Sequence, residues 1–91
     1  MINWIKLNSQ DAIDLGDWGI FIPCQSAEFI ENADETDRWM SIKGTWIPAG
    51  TGSPQKAKLE IFTQLDGEPV PEYMFYFQVL DLEDNLLTGN L

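Results

Sequence analysis

The chain has 91 residues, 44% of them hydrophobic and 12% aromatic, with four Trp. That is apolar material for one folded domain spanning 1–91, hardly for two, and it argues against a disordered chain despite the charge. Fifteen Asp and Glu against five Lys and Arg leave a net charge of −10, which repels nucleic acid and anionic membrane and favours basic partners, multivalent cations or plain solubility.

Several absences narrow the chemistry. There is no histidine and a single cysteine, Cys24. Ser-His-Asp and Cys-His catalysis are therefore excluded, together with the commonest general base near neutral pH. One Cys without His completes neither a zinc tetrahedron nor an intramolecular disulfide. Neither GxGxxG nor GxxxxGK[ST] occurs, so both common glycine-rich phosphate cradles are missing. With no histidine to activate it, Cys24 reads as a small, half-buried hydrophobe. A paired-carboxylate mechanism survives on residue type, yet so short a chain has little left to wall a cleft. The expectation is a protein that is not an enzyme and needs no cofactor and no metal. The first residues show no basic segment followed by an apolar stretch, and no run approaches a membrane span. A cytoplasmic setting follows, which includes a virus-infected cell.

In chain order, "INWIKL" (2–7) reads as a strand. "SQDAIDLGDW" (9–18) has room for one helical turn near 9–15, with Ser9 as cap, Asp11 in the first turn and Gly16 as the stop. "DWGIFIPC" (17–24) is a strand entered through Gly16 and stopped by Pro23, and "SAEFIE" (26–31) a short one. "DRWMSIKGTWIP" (37–48) is long, and Gly44 suggests a bulge or bend. "AGTGSP" (49–54) is a loop of small residues. In "KAKLEIFTQL" the alternation puts Ala57, Leu59, Ile61, Thr63 and Leu65 on one face. Lys56, Lys58, Glu60 and Gln64 take the other, with Phe62 as the exception. "DGEPVPE" (66–72) pairs a turn dipeptide with two prolines and predicts a reversing loop longer than a two-residue hairpin. "EYMFYFQVL" carries Tyr73, Phe75, Phe77 and Val79 on one face and Met74, Tyr76 and Leu80 on the other, the pattern of a central strand covered on both sides. "VLDLEDNLLTGNL" reads as strand, turn, strand. Its acids lack the spacing and glycine of a calcium loop.

The sum is an all-β fold, a small antiparallel β-sandwich or partly open barrel of six to eight short strands. The expected core is Trp4, Ile20, Ile22, Met40, Ile42, Leu59, Ile61, Leu65, Phe75, Phe77 and Val79.

Two sets of residues are candidates for function. The first is acidic: Glu31, Asp34, Glu35 and Asp37 crowd the stretch "EFIENADETDRW". Lacking a glycine for the turn, it fits a solvated inter-strand loop better than a dedicated cation site. Further acids recur at Asp11, Asp14, Asp17, at Asp66, Glu68, Glu72 and at Asp81, Glu83, Asp84, and loops at one end of a sandwich could gather them into an acidic rim. The second is aromatic: Trp39, Trp46 and Tyr76, with Lys43 sharing the face of Trp39 and Ser41, are expected at an exposed interaction surface, since four Trp are hard to bury in so small a core. The functional expectation is a protein-interaction or assembly module. Its partner would be another protein, basic in charge, or a second copy in a homo-oligomer; direct nucleic acid and membrane are not expected. Viral accessory and virion proteins can share this composition, which is an analogy only. The alternatives are an acidic nucleic-acid mimic that blocks a basic site and a carbohydrate-binding module.

Overall fold

The computed structural model describes residues 11–50 and 52–91. The expected strand 2–7, the core position Trp4 and the cap Ser9 lie outside these residues. The described chain forms β1 (Ile13–Asp14), β2 (Ile20–Pro23), β3 (Glu28–Glu31), β4 (Arg38–Ile47), β5 (Gln55–Leu65), β6 (Glu68–Pro69), β7 (Phe77–Leu80) and β8 (Leu86–Gly89), joined in one antiparallel sheet that does not close on itself. The all-β expectation holds. Among the described residues the one helical segment is a 3-10 turn, Gly16–Trp18, placed after the stretch expected to hold it. Gly16 opens this turn rather than ending one: its φ is +62°, and its N–H donates to Asp14 Oδ1 at 2.8 Å.

The sheet is built around the long β4–β5 hairpin, paired from Arg38 opposite Gln64 to Trp46 opposite Gln55 and in continuous register from Trp39 opposite Phe62 onward. Each flank carries two short strands in succession. On the β4 side β2 pairs with 44–47 and β3 with 38–41; on the β5 side β7 pairs with 58–61 and β6 with 64–65. β1 and β8 extend the two flanks.

Alternation sorts the core. Met40, Ile42 and Trp46 of β4, Ala57, Leu59 and Ile61 of β5, and Phe77 and Val79 of β7 all point to one side and are buried, with Leu15 and Phe21. The sheet rolls far enough for Trp18, next to its first strand, to meet Phe77 edge-on at 5.4 Å. Such a contact adds about 0.5–1.5 kcal/mol beyond burial.

Two expected core positions are wrong by one residue. Ile20 and Ile22 are 43% and 42% exposed, and Phe21 is fully buried. The partner strand decides this, because residues directly paired across a ladder share a face. Phe21 pairs with the inward Trp46, while Ile20 and Ile22 pair with Ile47 and Thr45 on the other side. Leu65 is only half-buried, near the end of its strand, and Phe75 packs against the core from its rim.

The opposite face of β5 is not the plain solvent face its lysines suggest. Phe62 is buried, and so is Glu60, which accepts from Gln78 Nε2 at 2.7 Å. Gly44 makes no bulge; the register slips between Arg38 and Trp39 instead. Its missing side chain serves close approach, since a Cβ there would strike the Ile22 carbonyl and lie 2.9 Å from the Phe21 ring.

Asp66 and Gly67, both at positive φ (51° and 81°), close a tight turn that sets Glu68 opposite Leu65. The two-residue hairpin therefore forms after all. The prolines act downstream, where 70–76 runs outside any strand and β7 begins only at Phe77. Met74 N–H donates back to the Pro71 carbonyl at 3.0 Å, which leaves Tyr73 on the surface rather than in the expected strand.

The face assignment of β2 is testable by unfolding. Phe21→Ala should cost about 3–5 kcal/mol, the usual loss for emptying a buried aromatic site. Ile20→Ala, at an outward position, should cost under about 1 kcal/mol. A larger loss at Ile20 than at Phe21 in urea denaturation would reverse the assignment.

Candidate functional site at the open edge of β3

β3 pairs with β4 along one edge only, and no other described strand lies along its second edge. An unpaired edge exposes backbone N–H and C=O groups to any extended chain that reaches it. Phe29, in the middle of this strand, is 74% exposed. Beside it lies an open recess of about 380 Å³ lined by Phe29, Ile30, Glu31, Arg38, Trp39 and Thr63. Trp39 leans on Phe62 with ring centroids 5.6 Å apart. Its indole N–H is buried without a hydrogen-bond partner, and such an orphan costs roughly 1–3 kcal/mol. Arg38 Nε donates to Glu31 at 2.6 Å in an exposed ion pair.

The acidic loop that follows β3 is a built structure. Asn32 organises it: its Oδ1 accepts from the N–H of Thr36 (2.9 Å) and Asp37 (3.0 Å), and its Nδ2 donates to Thr36 Oγ1 at 2.9 Å. The loop then docks on the β5–β6 turn. Asp66 N–H donates to Asp37 Oδ1 at 2.9 Å, Gly67 N–H to the Thr36 carbonyl at 2.8 Å, and Gln64 Nε2 to the carbonyls of Glu35 and Thr36 at 3.1 Å each. Asp37 is thus occupied in holding two loops together, Glu31 is paired with Arg38, and Asp34 and Glu35 remain exposed. Glu35 takes the left-handed position, φ 59°, that the loop has no glycine to fill.

The four acidic clusters do not form one rim. The register places 32–37 with 66–68 at one end of the β4–β5 hairpin, and 11–17 with 81–85 at the other. The Asp81 carboxylate accepts from the N–H groups of Glu83 and Asn85, each at 2.9 Å, and from Asn85 Nδ2 at 3.0 Å. Its donors from Asn85, then Glu83, and the charge of Lys58 together hold its pKa below the ordinary value of 3.8. This is turn chemistry, three hydrogen bonds from the turn's own residues, and among the described residues no group of three or more metal-ligating side chains converges.

The aromatic candidates separate. Trp46 is 8% exposed, and its Nε1 donates to the Trp18 carbonyl at 2.8 Å. It belongs to the core, because its place two positions from Gly44 and four from Ile42 puts it on the inward row, and an indole is buried cheaply once its N–H is satisfied. Trp39 and Tyr76 are half-buried and Lys43 is exposed. Trp39 lines the recess beside β3, while Lys43 lines a different one. Cys24, expected half-buried, is exposed. Phe29, Ile30, Arg38 and Thr63 were not singled out in the sequence. The available signal was "EFIE" itself, two apolar residues in succession between two acids on so short a strand.

Two outcomes check this loop chemistry. Glu35→Gly should leave stability unchanged or raise it by up to about 1 kcal/mol, because the left-handed conformation costs glycine nothing. Since the folded pKa of Asp81 is depressed, its contribution is present above the unfolded value and is lost as pH falls through the folded one; Asp81→Asn should flatten that acid limb of stability against pH. An unchanged acid limb in the variant would remove the role given to Asp81.

No family description, curated protein or solved structure matches this chain, so the site is read from its own residues alone.

Proposed function

We propose that the chain is a non-enzymatic protein-interaction module that accepts an extended basic segment of a partner protein along the open edge of β3. The observation that carries this reading is Phe29, a large aromatic 74% exposed at the centre of an unpaired edge strand and at the lip of the Ile30–Trp39 recess. Strand addition draws its affinity from main-chain hydrogen bonds and its selectivity from pockets for alternate side chains, and both elements meet here. The orphan indole N–H of Trp39 lies in the same part of the sheet.

Charge selects the partner. Glu28 and Glu31 stand at the two ends of β3, and Asp34 and Glu35 follow in the loop. A segment carrying Lys or Arg is drawn to this edge and oriented on it, with the effect falling mainly on association rate. The Arg38–Glu31 pair is exposed on both sides and is worth no more than about 1 kcal/mol, so Glu31 is readily exchanged to an incoming cation. Of the other outer strands, β8 reads Leu-Leu-Thr-Gly and bears no carboxylate, and β1 and β6 are two residues long each, which favours β3 as the docking edge.

A fluorescent peptide of alternating Lys and Val serves as the probe. It should bind saturably and weaken steeply with salt. Phe29→Ala should cost about 2 kcal/mol of binding, the scale of a central aromatic anchor, with less than about 0.5 kcal/mol lost in stability because the ring is exposed. Glu28→Lys with Glu31→Lys should reduce binding further. Equal affinity for all three proteins would sink the reading.

A further inference from the structure

The described cations are Arg38, Lys43, Lys56 and Lys58. Arg38 is paired with Glu31 and Lys58 with Asp84. Lys43 and Lys56 have no ion pair with any described residue, although the chain holds fifteen carboxylates to five cations. Both line one recess of about 350 Å³, together with Cys24, Gly44, Thr45 and Leu82. Among the described residues, the two cations without an ion pair therefore share a single concavity.

Their placement carries a cost that the fold does not relieve by itself. Lys43 lies directly opposite Lys58, and Lys56 opposite Thr45. All three lysines share the outward face of the β4–β5 hairpin, and like charges facing across a ladder are destabilising. Asp84 answers one of them. An anion seated between Lys43 and Lys56 would answer the other two: diagonal neighbours on adjacent strands are about 7–8 Å apart, within reach of long side chains. Leu82, 55% exposed, supplies an apolar wall to the same recess.

We infer that this recess binds an acidic protein segment, one carboxylate side chain between Lys43 and Lys56 and a neighbouring apolar side chain against Leu82. A space near the lower end of the ~300–1,000 Å³ range of ligand sites suits one or two residues. A polyanion such as nucleic acid is disfavoured, because the remaining surface of a chain with net charge −10 repels it. A short segment places its charge only at the lysines, and beyond about 8 Å the repulsion is screened at physiological salt. The recess uses the half of β4 away from β3 and does not depend on the proposed edge.

The probe is a short fluorescein-labelled peptide of alternating Glu and Leu, followed by anisotropy at low and moderate salt. Saturable binding is expected, weakened about tenfold or more in Lys43→Gln/Lys56→Gln, the loss of at least one charge-assisted hydrogen bond. That variant should melt at or above the parent temperature, since it removes a repulsion. Lys43→Arg/Lys56→Arg should retain binding and covers the case in which the Gln variant folds poorly. Phe29→Ala, which changes no charge, should bind the acidic probe as the parent does, which keeps failure of the β3 edge distinct from failure here. Unchanged affinity in the Gln variant overturns the site. Equal competition by citrate or by single-stranded DNA overturns its assignment to a protein segment.

Discussion

The β4–β5 hairpin is the constraint on which the rest of the molecule depends. Its two strands are more than twice the length of the others and stay paired from the Arg38–Gln64 end to the Trp46–Gln55 end. With a side-chain period of two, one register settles which side every residue faces. Met40, Ile42 and Trp46 fall inward with Ala57, Leu59 and Ile61, and each flanking strand inherits its facing from the hairpin residue it pairs with. Phe21 is inside because Trp46 is; Phe77 is inside because Ile61 is.

A single sheet must cover its own apolar side, and here the tryptophans do much of that work. Trp18 spans from the first flank to Phe77 on the second, and the Trp46 indole is tied to the Trp18 backbone. Two of the described tryptophans therefore act in rolling the sheet. Trp39 faces the other way, against Phe62, and this separation by strand parity leaves it beside the open edge. Composition alone cannot make that separation, since it counts four Trp without saying which row each one occupies.

The charges are arranged with comparable economy. Three of the carboxylates are engaged in backbone hydrogen bonding: Asp14, Asp37 and Asp81 each accept from a main-chain N–H at a turn. Asn32 and Asp37 close the β3–β4 loop against the β5–β6 turn, which gives β3 a fixed end. Glu28, Glu31, Asp34 and Glu35 stand outward along that edge, while Lys43 and Lys56 lie toward the far end of the β4–β5 hairpin.

The sequence by itself determined the class and most of the punctuation. Period-two alternation located β4 and β5, turn residues marked reversals within 66–72 and at 83–85 but not the two-residue hairpin at 66–67, and the placement of Trp39, Ser41 and Lys43 on one face opposite Met40 and Ile42 is as the alternation required. These are local properties, readable because side-chain direction alternates strictly within a strand. Tertiary structure decided what depends on a partner strand. The choice of Phe21 over its isoleucine neighbours, the burial of Trp46, and the role of Gly44 as a close approach to Ile22 all follow from pairing between segments distant in sequence. So does the edge itself: β3 is exposed because β2 and β3 share the side of β4 and nothing described lies beyond β3. Which strand is last in a sheet is a property of the whole ladder, and no local pattern of residues encodes it.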